Sequence, residues 1–150
     1  SSEADWANAV AAAEKLGTLN VLVNNAAIMR MSAITDTTVD DFMQIVQVNQ
    51  LGTFLGIRSV IAPMKAAGGG SIINISSIDG LHAQAGVMTE EQLNESVYKE
   101  FPIPRVGQPK EVAYVTLFLA TDEATYSTGG EFIADGGWFT GMRRPGMPCS

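Results

Sequence analysis

The sequence predicts a layered α/β fold with a parallel sheet, and three observations predict it. Short, nearly unbroken apolar runs end in polar doublets, as at "LNVLVNN" and "GSIINISS". Between them lie longer stretches in which apolar residues recur every three to four positions. The two patterns alternate along the chain, and alternation of buried strands with amphipathic helices is the signature of a parallel sheet covered by helices.

Each element follows from its own residues. Residues 3 to 16 are Ala-rich, with Trp6, Val10, Ala13 and Leu16 at helical spacing and Gly17 where a helix would stop. Leu19 to Val23 reads as a strand covered on both faces, ending at Asn24-Asn25. Asp36 to Ala67 reads as one long helix, with Thr38 as its cap and Asp40 and Asp41 in its first turn, where negative charge is favourable. Its apolar stripe runs through Phe42, Ile45, Val46, Asn49, Thr53, Ile57, Val60, Ile61 and Met64, so one amide interrupts a buried face. Such an amide needs a specific partner, either a backbone group or a bound water. Gly52 and Gly56, one turn apart, imply that another backbone approaches closely there, in the sheet or in a second subunit. The run "GGG" at 68 to 70 precedes a strand, so it is a turn and not a phosphate cradle. "SIINISS" is the second strand, "KEVAYVTLFLAT" a further helix, and "EFIADGG" a third short strand.

At 150 residues the chain has the size of one domain, and its 46% apolar and 17% charged residues are an ordinary globular balance. A net charge of −7 disfavours nucleic acid and anionic membrane surfaces as partners. One cysteine, Cys149, cannot form an internal disulfide, which fits a reducing, cytoplasmic setting. One Cys and one His cannot assemble the usual zinc ligand sets. No apolar stretch is long enough to span a bilayer.

Ligands of open parallel sheets bind beyond the carboxyl ends of the strands. That places Asn24 to Ala27, Ser76-Ser77 and Asp135 to Gly137 at candidate positions, although each also has an ordinary role in ending a strand. Ser77, Asp79 and His82 do not form a nucleophilic relay at that spacing, and no G-x-S-x-G elbow surrounds the serine. Tyr98 and Lys99 are adjacent and cannot point the same way on a regular element.

In order, "VLVNNAA", "VNQLGTFLGIR", "GSIINISSIDG" and "RVGQPKEVAYVTLFLATDEATYSTGGEFIADGG" closely resemble the short-chain dehydrogenase/reductase family, nearest its 3α/20β-hydroxysteroid dehydrogenase branch. The resemblance covers nearly all of residues 18 to 137. It implies a Rossmann-type doubly wound parallel sheet, partial in this chain, and an oxidoreductase moving a hydride between a nicotinamide cofactor and a secondary alcohol or ketone, such as a hydroxysteroid. It implies NAD, with NADP open, and a homo-oligomer, dimer or tetramer, formed through the 38–65 helix. Carried over residue by residue, Ser77 matches the catalytic serine that donates to the substrate oxygen. Asn49 matches the asparagine of the proton relay. Asn25, Ala26 and Ala27 match the segment beside the cofactor ribose, with Ala27 in place of the usual glycine, and Val48 and Ile75 match cofactor-lining positions. The segment at Gly136-Gly137 resembles the one closing the substrate and subunit side.

Two parts of the family pattern have no match: the glycine-rich turn that holds the pyrophosphate, and the Tyr-x-x-x-Lys pair, at whose expected place stand Met88, Thr89 and Glu90. Residues 80 to 108 would also form a connection well beyond the ~12–15 residues usual in a compact domain. Two readings of the chain follow. In the first, residues 1 to 150 are an incomplete single domain with a tail at 138 to 150, and the sequence joins pieces of a longer enzyme, with residues omitted before Ser1 and again near 86–87. In the second the chain is contiguous, a catalytically incompetent remnant serving as an assembly or binding module. Removing an interior strand would expose apolar flanks on its neighbours, which favours the first.

Overall fold

The computed structural model describes residues 2–81, 90–92, 99, 101–139 and 141. The described elements are α1 (Glu3–Glu14), β1 (Val21–Asn24), α2 (Val39–Ile45), a π-helical turn (Val46–Leu51), α3 (Gly52–Ala66), β2 (Ser71–Asn74), α4 (Glu90–Gln92) and α5 (Pro109–Ala120). They fall into two compact units, residues 1–75 and 76–150.

In the first unit, local signals set the helix ends. The Ser2 hydroxyl accepts the Asp5 amide N–H at 3.1 Å and starts α1. Thr38 does the same for α2, accepting from Asp41 N–H at 3.1 Å, with Asp40 and Asp41 in the first turn as expected. The end of α3 is closed by paired bonds from Gly68 N–H to the Lys65 carbonyl (3.2 Å) and from Gly69 N–H to the Met64 carbonyl (2.9 Å). Gly68 has φ +90°, a conformation that favours glycine at this stop. Gly70 then lies so close to Asn20 that a Cβ would sit 2.6 Å from its carbonyl oxygen. The "GGG" run thus stops a helix and lets β2 come alongside β1.

The two strands are parallel, with Leu22 opposite Ile72 and Asn24 opposite Asn74. Leu22, Val60 and Met64 form the core of this unit, with Trp6, Val10, Leu19, Ile57 and Ile72 packed around them. Burial departs from the apolar spacing at several positions. Leu16 lies beyond the end of α1 and is 92% exposed, and Phe42 (58%) and Ile61 (40%) also face solvent. The buried face of α3 is Gly52, Leu55, Gly56, Val60 and Met64. Val60 and Met64 of the expected stripe lie on that face and Ile57 packs against it, whereas Phe42 and Ile61 follow the spacing with nothing among the described residues covering them. Coverage of β1 on both faces is also overturned: Leu22 packs against α1 and α3, whereas Val23, on the opposite face, is 41% exposed, with no helix among the described residues packed over it.

In the second unit, α5 starts at Pro109, and Glu111 closes its first turn by accepting the Gln108 N–H at 2.7 Å. Arg105 grips the same carboxylate with two bonds of 2.6 and 2.7 Å. The expected third strand is not formed: residues 131–134 are irregular and exposed. A strand needs a neighbour for its backbone groups, and among the described residues this segment has none. Its end does make an ordered turn, in which the Asp135 carboxylate accepts from Gly137 N–H (2.8 Å) and Phe139 N–H (2.7 Å). Ile103 N–H donates to the Gly136 carbonyl at 3.0 Å, and Phe101, 2% exposed, packs on Trp138 with ring centroids 5.0 Å apart. No helix of the described residues is long and apolar enough to cross a membrane.

Candidate active site

Six of the seven candidate residues belong to the first unit. Because β1 and β2 are parallel and in register, both release the chain at the same edge of the sheet. Asn25, Ala26 and Ala27 leave β1 there, exposed, and Ile75 leaves β2 with its N–H still bonded to the Asn24 carbonyl at 2.9 Å. Val48 and Asn49 sit in the π turn, both half-buried.

Asn49 is the organising residue of this edge. Its Oδ1 accepts the Ile28 N–H at 2.9 Å and its Nδ2 donates to the Ile28 carbonyl at 2.9 Å. The carboxamide therefore pairs with one residue's backbone as a neighbouring strand would, in a loop with no strand beside it among the described residues. Each such bond contributes about 1 kcal/mol net, and stripping both would leave two part-buried backbone groups unpaired. The amide in the helical stripe is thus explained by a backbone partner, both donor and acceptor of Ile28. This partner directly follows Asn25 to Ala27 in the chain, so Asn49 ties that exposed segment to the long helix. The Asn49 carbonyl in turn accepts from the Thr53 hydroxyl at 2.9 Å. A π turn offsets the backbone bonding of a helix by one residue and is often found where a helix serves a site.

Two features escaped sequence reasoning. Asn24 is 9% exposed, and its Nδ2 donates to Asn74 Oδ1 at 2.8 Å, bridging the last residues of the two strands. The signal was available: "VLVN" and "SIIN" each place an asparagine after three strand residues, and in a parallel pair these come opposite each other. The second is Arg30, whose guanidinium reaches Asp41 Oδ1 at 2.8 Å and Gln44 Oε1 at 2.7 Å. The Asp41 carboxyl is held below the usual carboxylate range, first by the Thr38 hydroxyl and then by the Arg30 charge. Nothing in the spacing of Arg30 and Asp41 announces this pair.

Gly56 shows why the helix carries glycine. A Cβ there would lie 2.6 Å from Asn24 Oδ1 and 2.8 Å from the Trp6 ring. The close approach comes from these two side chains, and a neighbouring backbone, as the sequence suggested, is not what fills that space.

Ser77 belongs to the second unit. It is exposed, three residues after β2, and its Oγ accepts the Asp79 N–H at 3.1 Å to start the turn Ile78–Gly80. A hydroxyl that accepts a bond still has its own hydrogen to give, and none of the described residues receives it. His82 and Tyr98 lie outside the described residues, as does the 86–87 junction.

Comparison with known proteins places this geometry in context. Residues 1–89 match the family described as short chain dehydrogenase, and residues 80–139 match one described as enoyl-(acyl carrier protein) reductase. The 3-alpha-(or 20-beta)-hydroxysteroid dehydrogenase of Mycobacterium tuberculosis is 36% identical over 178 aligned positions, covering 93% of this chain and 68% of the relative. The trans-4-hydroxycyclohexanecarboxylate dehydrogenase of Sinomonas cyclohexanicum is 34% identical over 170 positions, covering 88% of this chain and 65% of the relative. Among solved structures, a gluconate 5-dehydrogenase from Burkholderia cenocepacia, in complex with NADP and tartrate, superimposes with a TM-score of 0.80 at 23% identity, covering 93% of this chain and 72% of the other. The fold is the Rossmann-type α/β fold, present here in part.

Proposed function

This chain belongs to the short-chain dehydrogenase/reductase family of oxidoreductases, and from that membership we propose that it transfers a hydride between a nicotinamide cofactor and a secondary alcohol or ketone. The observation that carries the reading is the pair of hydrogen bonds between the Asn49 carboxamide and the Ile28 backbone, which fixes the chain directly after the exposed Asn25 to Ala27 at the carboxyl edge of a parallel sheet. The residues present fit the ribose and nicotinamide end of such a cofactor: Asn25 to Ala27 stand exposed and anchored, with half-buried Val48 and Ile75 at the same edge. The pyrophosphate end has no glycine-rich turn in this sequence.

When bound, the cofactor supplies or accepts the hydride. Ser77 donates its hydroxyl hydrogen to the substrate oxygen, polarising a carbonyl or steadying an alcohol. Asn49 is a positioning residue through its side chain. The proton carrier, a phenol in this family, belongs to a segment missing near 86–87. Two facts support that omission. The alignment to the hydroxysteroid dehydrogenase runs over more positions than the 150 residues of the chain, so the relative carries residues without a counterpart here. The two family matches also meet between residues 80 and 89.

The hydroxysteroid and hydroxycyclohexanecarboxylate dehydrogenases are both named for secondary alcohols of carbocyclic molecules, which supports that substrate class, a hydroxysteroid among them. NAD is the cofactor proposed on the likeness to the hydroxysteroid branch, although the gluconate 5-dehydrogenase was solved with NADP. The reading includes a cytoplasmic homo-oligomer, dimer or tetramer, joined through the 38–65 helix, whose Leu51, Phe54 and Ile61 are 40, 56 and 40% exposed.

Titration of the intact protein with NADH and NADPH, followed by consumption of the reduced cofactor with cyclic ketones, tests the function. Saturable binding and turnover are expected. Absence of both across steroidal and simple cyclic ketones would refute it. Intact mass spectrometry tests the omission: a mass well above 15.9 kDa is expected, and 15.9 kDa itself would establish the contiguous remnant instead.

A further inference from the structure

The exposed span Asn25 to Ala27 has no hydrogen bond of its own among the described residues. A stretch of this kind is placed by its two ends. At the first, Asn24 is fixed in β1, its carbonyl bonded to Ile75 N–H at 2.9 Å and its side chain to Asn74 at 2.8 Å. At the second, two anchors follow in succession. The Ile28 backbone is held by Asn49, and two residues on the Arg30 guanidinium reaches Asp41 Oδ1 at 2.8 Å and Gln44 Oε1 at 2.7 Å. Asp41, Gln44 and Asn49 lie on one continuous helical run, α2 with its π turn, so residues 28 and 30 are tied to the same element. One anchor leaves a chain free to swivel about it, whereas two fix its direction.

Asp41 joins this clamp to the start of the helix, because its Oδ2 accepts the Thr38 hydroxyl at 2.6 Å while its Oδ1 takes Arg30. Further on, the Ala33 carbonyl accepts from Asp36 N–H (3.0 Å), Thr37 N–H (3.1 Å) and the Thr37 hydroxyl (3.0 Å), closing the bend that leads into α2. The Arg30 side chain is half open to water, and an ion pair so exposed adds little to global stability. Its effect is local: it narrows the conformations of the chain on either side. We propose that Arg30 is a positioning residue for the cofactor, whose clamp on Asp41 and Gln44 keeps Asn25 to Ala27 in the shape that receives the ribose end, so that binding does not have to order them. This rests on the dehydrogenase reading and adds to it a residue that acts through others. All of these residues belong to the first unit.

The test uses the intact protein, with NADH binding followed by fluorescence titration and turnover measured on a cyclic ketone. In Arg30→Gln the Kd for NADH should rise roughly 10-fold, in proportion to the time the freed span spends out of shape, while kcat at saturating NADH stays within ~2-fold. Arg30→Lys keeps a charge for Asp41 but loses the fork that also reaches Gln44, so its Kd should fall between the two. Asp41→Asn should weaken binding as Arg30→Gln does, and the double variant should be no worse than either alone, since each opens the same clamp. Arg58→Gln removes the same charge and breaks another exposed pair of this unit, that with Glu3, and should leave the affinity for NADH unchanged. Unaltered affinity in Arg30→Gln, additive losses in the double variant, or an equal loss in Arg58→Gln would overturn the proposal. So would tighter binding in Asp41→Asn, because a freed Arg30 would then be meeting the anionic cofactor itself. If the intact protein binds neither NADH nor NADPH, the dehydrogenase reading fails, and the cofactor role of Arg30 with it. Amide hydrogen exchange at Ile28 then decides the clamp separately: exchange at least ~5-fold faster in Arg30→Gln keeps it, and an unaltered rate removes it.

Discussion

At the scale of single residues, Asn49 and Gly56 hold the first unit together by different physics. Asn49 satisfies both backbone groups of Ile28, so Asn49→Ala should cost about 1–3 kcal/mol and loosen the segment behind the strand. Urea unfolding would read the first effect, and amide hydrogen exchange at Ile28 the second. An Ile28 amide as protected in the variant as in the parent would show that the side chain does not hold the loop. Gly56 is a question of space. A methyl group 2.6 Å from Asn24 Oδ1 and 2.8 Å from Trp6 forces one of them to move, so Gly56→Ala should destabilise by about 1–3 kcal/mol despite alanine's better helix propensity. A raised melting temperature would show that Trp6 yields without cost. The presence of an amide in the helical stripe was legible from sequence, but its partner was not. Ile28 is 21 positions away, and no local pattern records which backbone a side chain will meet.

At the scale of elements, what could be read were the features fixed by neighbours in sequence. Thr38 as a cap, the acidic first turn of α2 and the turn at "GGG" all depend on residues within a turn of each other. Burial was read less well. Phe42, Ile61 and Leu16 follow helical spacing yet face solvent, because spacing defines a face without saying whether anything lies against it. The expected strand at 131–134 failed for the same reason, since strand pairing is non-local. The start of α5 offers a direct test of a local device. Arg105, first through its hydrogen bonds, and then the Gln108 N–H lower the Glu111 pKa from 4.5 to about 2. A carboxylate with a depressed folded pKa stabilises above its unfolded value, and that contribution is lost as pH falls through the folded one. The stability difference between the parent and Glu111→Gln, followed by urea unfolding, should therefore be constant above pH 4.5 and vanish between 4.5 and about 2. A difference independent of pH would mean that the ion pair adds nothing, as is common for exposed pairs.

At the scale of the whole molecule, the ordered motifs identified the family, whereas composition alone allowed only an acidic globular protein. The proposed omission rests on sequence as well, on the overlong connection at 80 to 108 and on the proton carrier that the surrounding motifs demand. The loop at Met29 to Ile34 was not: between two well-patterned elements, its residues show no periodicity, and only the bonds of Arg30 and Ala33 reveal that it is held. The central proposal is that the Ser77 hydroxyl serves a carbonyl while Asn49 holds the Ile28 backbone. The most direct measurement is steady-state reduction of a cyclic ketone by the intact protein and its Ser77→Ala variant, with cofactor binding measured in parallel. The claim predicts a fall in kcat of ~10²–10³-fold with cofactor affinity unchanged. A Ser77→Ala enzyme as fast as its parent would contradict it.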